Sequence, residues 1–184
     1  MITIRNATEN DLKDIHEINQ LNSSNPNKPL NEKNFCLYLY TTYYVKFETD
    51  SCFIAIDDKT GQTVGYILGA KDYDTYLFNI ENDFLNQSEE LGFRKRFIYE
   101  IHAYEPFKEA YPAHFHIDVR PGNQHKGIGS KLLRAQIDHM KENDVKGLML
   151  LVGKNKIAGN SFYEKNGFSV IAEGEDAYIR GIKL

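Results

Sequence analysis

His114, His116 and Asp118 stand at alternate positions of the run Ala113–Val119, AHFHIDV. In an extended strand successive side chains point to opposite faces. These three therefore share one face, and Ala113, Phe115, Ile117 and Val119 share the other. A free histidine near pKa ~6.5 is better matched to taking a proton at neutral pH than an aspartate near ~3.9. Plain structural roles are open to the same side chains: a strand histidine can be a hydrogen-bonded core residue, and an aspartate before a turn can cap local amides. Directly downstream lies Gln124-His125-Lys126-Gly127-Ile128-Gly129-Ser130, of the form Q-x-x-G-x-G, at the entry to an amphipathic helix. Its glycines permit close approach of the main chain, and backbone N–H groups join the positive end of a helix dipole at one point. That arrangement suits a phosphate-bearing ligand. The spacing fits neither the dinucleotide fingerprint G-x-G-x-x-G nor a Walker A loop, which places lysine directly after its last glycine.

These residues must be positioned by the elements around them. The chain has 184 residues, enough for one domain with a substantial core and too few for a second. Its formal charge of −4 supplies no basic excess for nucleic acid or anionic membrane, and mildly favours a cationic partner such as an amine. No apolar run approaches the ~20 residues of a membrane helix. The polar start MITIRNATENDLKDI does not resemble a signal peptide, so a cytoplasmic protein is expected. Cys36 and Cys52 lie among apolar residues and read as buried free thiols. The six histidines lack the H-E-x-x-H spacing of a metal site, and none is expected.

Along the chain, residues 2–4 alternate as a short strand. Thr8 and Asp11 form a capping-box-like start to a helix carrying Leu12, Ile15, Ile18 and Leu21. A loop over 22–29 precedes an aromatic-rich stretch in which 31–40 is read as a helix. Strands at 52–56 and 63–70 form a hairpin, and Gly65 and Gly69 suggest a twisted or closely approached edge. Between 71 and 112 two helical faces are expected: Tyr73, Tyr76, Leu77, Ile80, Phe84 and Leu85, then Leu91, Phe93, Phe97, Ile98, Ile101 and His102. After the 113–119 strand, a helix carries Ile128, Leu132, Leu133, Ile137 and Met140 on one face. The continuous apolar run at 147–152 reads as a strand covered on both faces. A short helix over 158–165 closes at Asn166-Gly167, and strands at 168–172 and 177–182 finish the chain.

The strand ending V-R-P, the Q-x-x-G-x-G turn, the apolar strand and then Asn160-Ser-Phe-Tyr-Glu-Lys-Asn-Gly-Phe168 together resemble the GNAT superfamily of acetyl-CoA-dependent N-acetyltransferases. The resemblance covers residues 113–170; the N-terminal elements agree in order alone. It implies a single mixed α/β domain over 1–184. The central sheet would be twisted and mostly antiparallel, splayed between its fourth and fifth strands, with helices on both faces. The helical insertion at 71–112 would shape the acceptor pocket. It also implies that the backbone of His125, Lys126, Gly127, Ile128, Gly129 and Ser130 cradles the pyrophosphate of CoA, beside Gln124. The main chain of Ile117, Asp118 and Val119 would pair with the pantetheine arm. Tyr163 falls where the family places the tyrosine that protonates the departing thiolate. One departure stands out: Lys156 occupies a position where the family often has asparagine, and Asn160 is the substitute CoA contact. A tighter resemblance, in Tyr111-Pro112-Ala113-His114-Phe115-His116-Ile117-Asp118, is to bacterial acetyltransferases related to the acetyltransferase-like domain of O-GlcNAcase.

The implied activity is direct transfer of an acetyl group from acetyl-CoA to a primary amine of a small molecule or peptide. An alkylamine near pKa ~10.4 must lose a proton to attack, at a cost of roughly 4 to 5 kcal/mol at neutral pH. His116 and Asp118 are the candidate bases; Asp118, nearer the acetyl position, can instead hold the amine or an ordered water. The alternative is a CoA-binding or regulatory module of the same fold with weak or no turnover. No nucleic-acid or membrane partner is expected, and a homodimer stays open.

Overall fold

The computed structural model describes residues 1–83 and 98–184 in full, and the backbone course alone at 84–91 and 94–97. Seven strands form one sheet, β1 (Ile2–Asn6), β2 (Cys52–Asp57), β3 (Gln62–Ala70), β4 (Ala113–Val119), β5 (Gly147–Gly153), β6 (Ser169–Glu173) and β7 (Ala177–Lys183). Their order is β1-β2-β3-β4-β5-β7-β6, antiparallel throughout except for the β4–β5 pair. That parallel contact has two paired positions, Ala113 with Leu148 and His114 with Met149, and beyond them the strands separate. The sheet is thus splayed between its fourth and fifth strands, as the resemblance implies.

Helices cover both faces. One face carries α1 (Leu12–Leu21), α2 (Leu30–Leu37), α3 (Tyr43–Phe47), α4 (Tyr73–Leu91) and α5 (Arg94–His102), whose core joins Ile15, Ile18, Phe35, Tyr43, Tyr73, Tyr76 and Ile101 to Ile54, Tyr66 and Leu68 of the sheet. The other face carries α6 (Ile128–Glu142) and α7 (Ile157–Lys165), packed on Ile67, Ala113, Phe115, Leu148 and Leu150. β5 is mostly buried because both layers cover it, which its unbroken apolar run anticipates.

Local chemistry explains the element boundaries. The Asp11 carboxylate accepts the Thr8 N–H at 2.8 Å and its hydroxyl at 2.9 Å, and Arg5 clamps it from the other side. This capping box starts a 3-10 turn over Glu9–Asp11, and the α-helix begins only after it, at Leu12. The helix expected over 31–40 runs from Leu30 to Leu37 and then widens into a π turn over Tyr38–Thr42 before α3. Tyr40 and Tyr44 thereby turn towards the sheet's splay. Gly65 and Gly69 mark a close approach, as read, but on an interior strand instead of an edge: β3 lies between β2 and β4, and α6 crosses it. A Cβ on Gly69 would collide with Gln136, and one on Gly65 would lie 3.1 Å from the Asp118 carbonyl and 3.2 Å from Leu132. α7 ends at Gly167 with φ of +88°, the left-handed cap expected there. Of the two expected insertion faces, Phe84, Leu85, Leu91, Phe93 and Phe97 lie outside the residues whose side chains are described. Tyr73, Tyr76, Ile80 and Ile101 are buried.

Candidate active site

The separation of β4 from β5 opens a cavity of about 830 Å3, lined on one lip by Phe115, His116, Ile117 and Asp118 and on the other by Leu150, Leu151, Val152 and Gly153. α7 and the residue that caps its start close it with Tyr163 and Lys156, and the first face closes it with Tyr40, Tyr44, Tyr76 and Tyr104. From Phe115 onwards the β5-facing main chain of β4 has no strand partner, which leaves Ile117 and Val119 able to pair with an extended ligand.

Strand alternation holds: His114, His116 and Asp118 all face the aromatic layer, but they meet different surroundings. His114 is fully buried, stacked on Tyr104 at 4.9 Å and set edge-on to Tyr76 at 4.3 Å, with neither ring nitrogen hydrogen-bonded. Burial pushes its pKa down to about 3, so it is a neutral packing residue. His116 lies at the cavity floor between the rings of Tyr40 at 5.2 Å and Tyr66 at 5.9 Å. Burial, with a smaller push from Lys156, lowers its pKa to about 4. Asp118 moves the other way. Burial raises its carboxyl to about 7, against the opposing pull of the Tyr66 hydroxyl and the Lys156 charge. The Tyr66 hydroxyl donates to Asp118 Oδ2 at 2.9 Å, lies 3.1 Å from His116 Nδ1, and accepts from Asn19 Nδ2 at 3.1 Å. Tyr163 is buried against Phe115, Phe162 and Phe168, and its hydroxyl makes no hydrogen bond among the described residues. Burial raises its pKa above that of a free phenol, so it keeps its proton.

At the far end of β4, the Gln124 amide donates to the Val119 carbonyl at 3.2 Å and to Asn22 Oδ1 at 3.0 Å, pinning the turn to α1. His125 and Gly127 adopt positive φ, +62° and +78°, and this left-handed geometry turns the chain into α6. The N–H groups of Gln124, His125, Lys126 and Gly127 have no protein acceptor among the described residues, and the first turn of α6 adds the orphan amides of Ile128, Gly129 and Ser130. These exposed donors form the cradle that an anion requires. Asn160 is placed differently. Its amide donates to the Gly153 and Lys156 carbonyls and accepts from Arg180 Nε at 2.9 Å, so it ties α7 to β5 and β7 and does not line the cavity.

Sequence reasoning missed Tyr66, Asn19, Tyr40 and Tyr104. The one available signal was Tyr66 itself: a tyrosine inside an apolar strand must find a partner for its hydroxyl. Tyr104 reaches β5 at the splay, where its hydroxyl accepts the Leu151 N–H at 3.1 Å. Among the described residues no cluster of three His, Cys, Asp or Glu is placed to hold a metal, and no helix is long and apolar enough to cross a membrane.

A mostly antiparallel sheet splayed at its one parallel pair, with an amide cradle at the following helix, makes a cleft suited to an extended ligand with an anionic end. The model of the acetyltransferase (GNAT) family matches residues 12–168, and the chain belongs to that family. Among solved structures, SsHAT superposes with a TM-score of 0.82 at 23% identity, covering 99% of this chain and 98% of its own. The PaiA N-acetyltransferase of Thermoplasma acidophilum, in complex with coenzyme A, gives 0.64 at 17% identity over 100% and 99% of the two chains. The ribosomal-protein-S18-alanine N-acetyltransferase of Escherichia coli gives 0.61 at 19% identity over 100% and 94%. These likenesses establish the fold.

Proposed function

We propose that the protein transfers the acetyl group of acetyl-CoA to a primary amine of a small molecule or peptide. One observation carries the reading: the splay opens a single cavity that holds a carboxyl with pKa about 7 and a protonated tyrosine whose hydroxyl has no partner among the described residues, beside an amide cradle. The cradle fits a pyrophosphate: its free N–H groups run from Gln124 into the first turn of α6, and the helix dipole adds to them. Acetyl-CoA, when bound, supplies the acyl group as an activated thioester. The main chain of Ile117 and the Val119 N–H, which have no strand partner on the β5 side, hold the extended arm by strand-like hydrogen bonds, while the Val119 carbonyl is taken by Gln124 and Asn22.

Asp118 and His116 exchange the ranks that their free pKa values suggest. A neutral His116 with its pKa near 4 is a weak base, whereas Asp118 near 7 is matched to an amine at neutral pH. Asp118 therefore receives the amine proton, and Tyr163 donates to the departing sulfur. Asn160 acts by holding α7, and with it Tyr163, against β5.

Titration calorimetry with acetyl-CoA, followed by thiol release with a panel of amines, tests the reading. Acetyl-CoA binding with turnover on at least one primary amine supports it. Binding without turnover on any amine makes the protein a CoA-binding module of the same fold, and no binding removes both assignments.

A further inference from the structure

The geometry points to Tyr66 as the positioning residue of a proton relay that joins His116 to Asp118, so that the acceptor's proton enters at His116 Nε2 and comes to rest on the Asp118 carboxylate. The inference rests on the acetyl-transfer reading and deepens it.

Hydrogen-bond valence carries the argument. Tyr66 has one hydroxyl proton and two lone-pair directions. Three polar groups surround its oxygen: Asp118 Oδ2 at 2.9 Å, His116 Nδ1 at 3.1 Å and Asn19 Nδ2 at 3.1 Å. An ionised carboxylate can only accept, so it takes the hydroxyl proton. Asn19 Nδ2 can only donate and fills one lone pair. The remaining lone pair faces His116 Nδ1, which must then be the protonated nitrogen. This fixes the tautomer of a neutral imidazole: Nδ1 carries hydrogen, and Nε2 presents a lone pair. Nε2 has no hydrogen-bond partner among the described residues, and the ring lines the cavity. Stacking between Tyr40 and Tyr66, interplanar angles 24° and 21°, holds the ring against rotation. Tyr66 itself is fully buried, so no water replaces it in the chain.

The protons balance. The attacking amine gives one proton to His116 Nε2; Nδ1–H passes its proton to the Tyr66 oxygen; the Tyr66 proton passes to Asp118 Oδ2. The acceptor enters as an ammonium, so its nitrogen still carries one surplus proton once the N–C bond to the acetyl carbon has formed. The C–S bond breaks, and the sulfur leaves with its electron pair and takes the Tyr163 proton. The surplus nitrogen proton restores the Tyr163 phenol. His116 ends neutral with its hydrogen on Nε2, Tyr66 ends as a phenol, and Asp118 ends as the carboxylic acid. No imidazolium accumulates, which reconciles a histidine that resists protonation with a place in the path of the proton. Titratable groups facing the relay are Tyr40, Lys156 and Tyr163 around the rings and the carboxylate, with Glu100 and Lys28 further along the same cavity.

Two measurements test the relay. Two-bond 15N–1H NMR of the wild-type protein, with His116 assigned by a His116→Gln variant, is expected to show neutral His116 with its hydrogen on Nδ1; hydrogen on Nε2 overturns the proposal without any reference to activity. Tyr66→Phe, checked for folding by circular dichroism, is expected to lower kcat about 10²-fold, with acetyl-CoA affinity unchanged. Its ascending pH limb should also move upward, because the lost hydroxyl favoured the ionised carboxylate. If the wild type turns over an amine and Tyr66→Phe matches it in rate and pH profile, the relay fails and acetyl transfer stands. If the wild type turns over no amine, acetyl transfer fails and the relay falls with it.

Discussion

Two carboxyl–imidazole neighbours on one strand face, Asp118 and His116, show what side-chain identity alone withholds. Their free pKa values rank histidine as the better base at neutral pH. Burial reverses the ranking, because it penalises whichever form is charged: it raises the carboxyl to about 7 and lowers the imidazole to about 4. The shared face was legible from alternation, but Tyr66, which bonds both groups, lies 50 and 52 positions away in sequence and could not be placed beside them. The raised carboxyl carries a stability sign as well. Native Asp118 holds its proton more tightly than the unfolded chain does, so its contribution falls as pH rises from the unfolded value near ~3.9 through about 7. Asp118→Asn should therefore lower kcat/KM about 10²-fold or more and abolish the rising limb near pH 7. It should also melt higher than the wild type at pH 8 while binding acetyl-CoA unchanged. Thiol-release rates from pH 5.5 to 9, thermal melts at both ends and titration calorimetry with acetyl-CoA check all four; a rising limb that survives the substitution assigns the base elsewhere.

Among the elements, the β4–turn–α6 unit was the most legible because its signals are local: an alternating strand, a glycine-bearing turn and a helix with one apolar face. The partner of each strand is set by contacts distant in sequence, and so is the layer that closes the cavity. The insertion is the clearest case. Its residues read equally well as surface helices, yet Tyr104, just beyond α5, reaches into the splay and accepts the Leu151 N–H that β4 leaves unpaired. The same ring stacks on His114, the last β4 residue paired with β5. Tyr104 therefore acts as a strut that satisfies β5 while keeping the strands apart. In Tyr104→Phe the ring and its stacking persist, but a half-buried N–H loses its acceptor, at a cost of about 1–3 kcal/mol. The expected phenotype is that loss in urea unfolding, together with a several-fold higher KM for the amine and an unchanged acetyl-CoA affinity. Lost acetyl-CoA binding with an unchanged amine KM would place the strut's influence on the other side of the splay.

In the molecule as a whole, the four imidazole and carboxyl groups with the largest shifts among the described residues set opposing pH dependences that conceal one another. His114 and His116 resist protonation, with pKa values near 3 and 4, so their contribution is present above the unfolded value near ~6.5 and is lost as pH falls. Glu48 and Asp118 resist ionisation, both near 7, so theirs is present at low pH and is lost as pH rises from the unfolded carboxyl range through about 7. Between about pH 4.5 and 6.5 the two pairs nearly cancel, and the wild-type profile alone does not resolve them. Glu48 is the separable member because it stands away from the cavity, at the C-terminal end of α3. It is 6% exposed, and burial outweighs the opposing attraction of Lys71, which Asp50 engages at 2.5 Å. The carboxylate there also faces the negative end of the helix dipole. Glu48→Gln keeps the shape and removes the charge. Relative to the wild type it should gain nothing at pH 4 and about 1–3 kcal/mol by pH 8, from a shift of roughly two units at 1.36 kcal/mol each, with turnover unaffected. The observable is the difference between the two melting temperatures across that range. A difference that stays flat with pH means Glu48 ionises normally in the native state, and Asp118 is then left alone to oppose the two histidines.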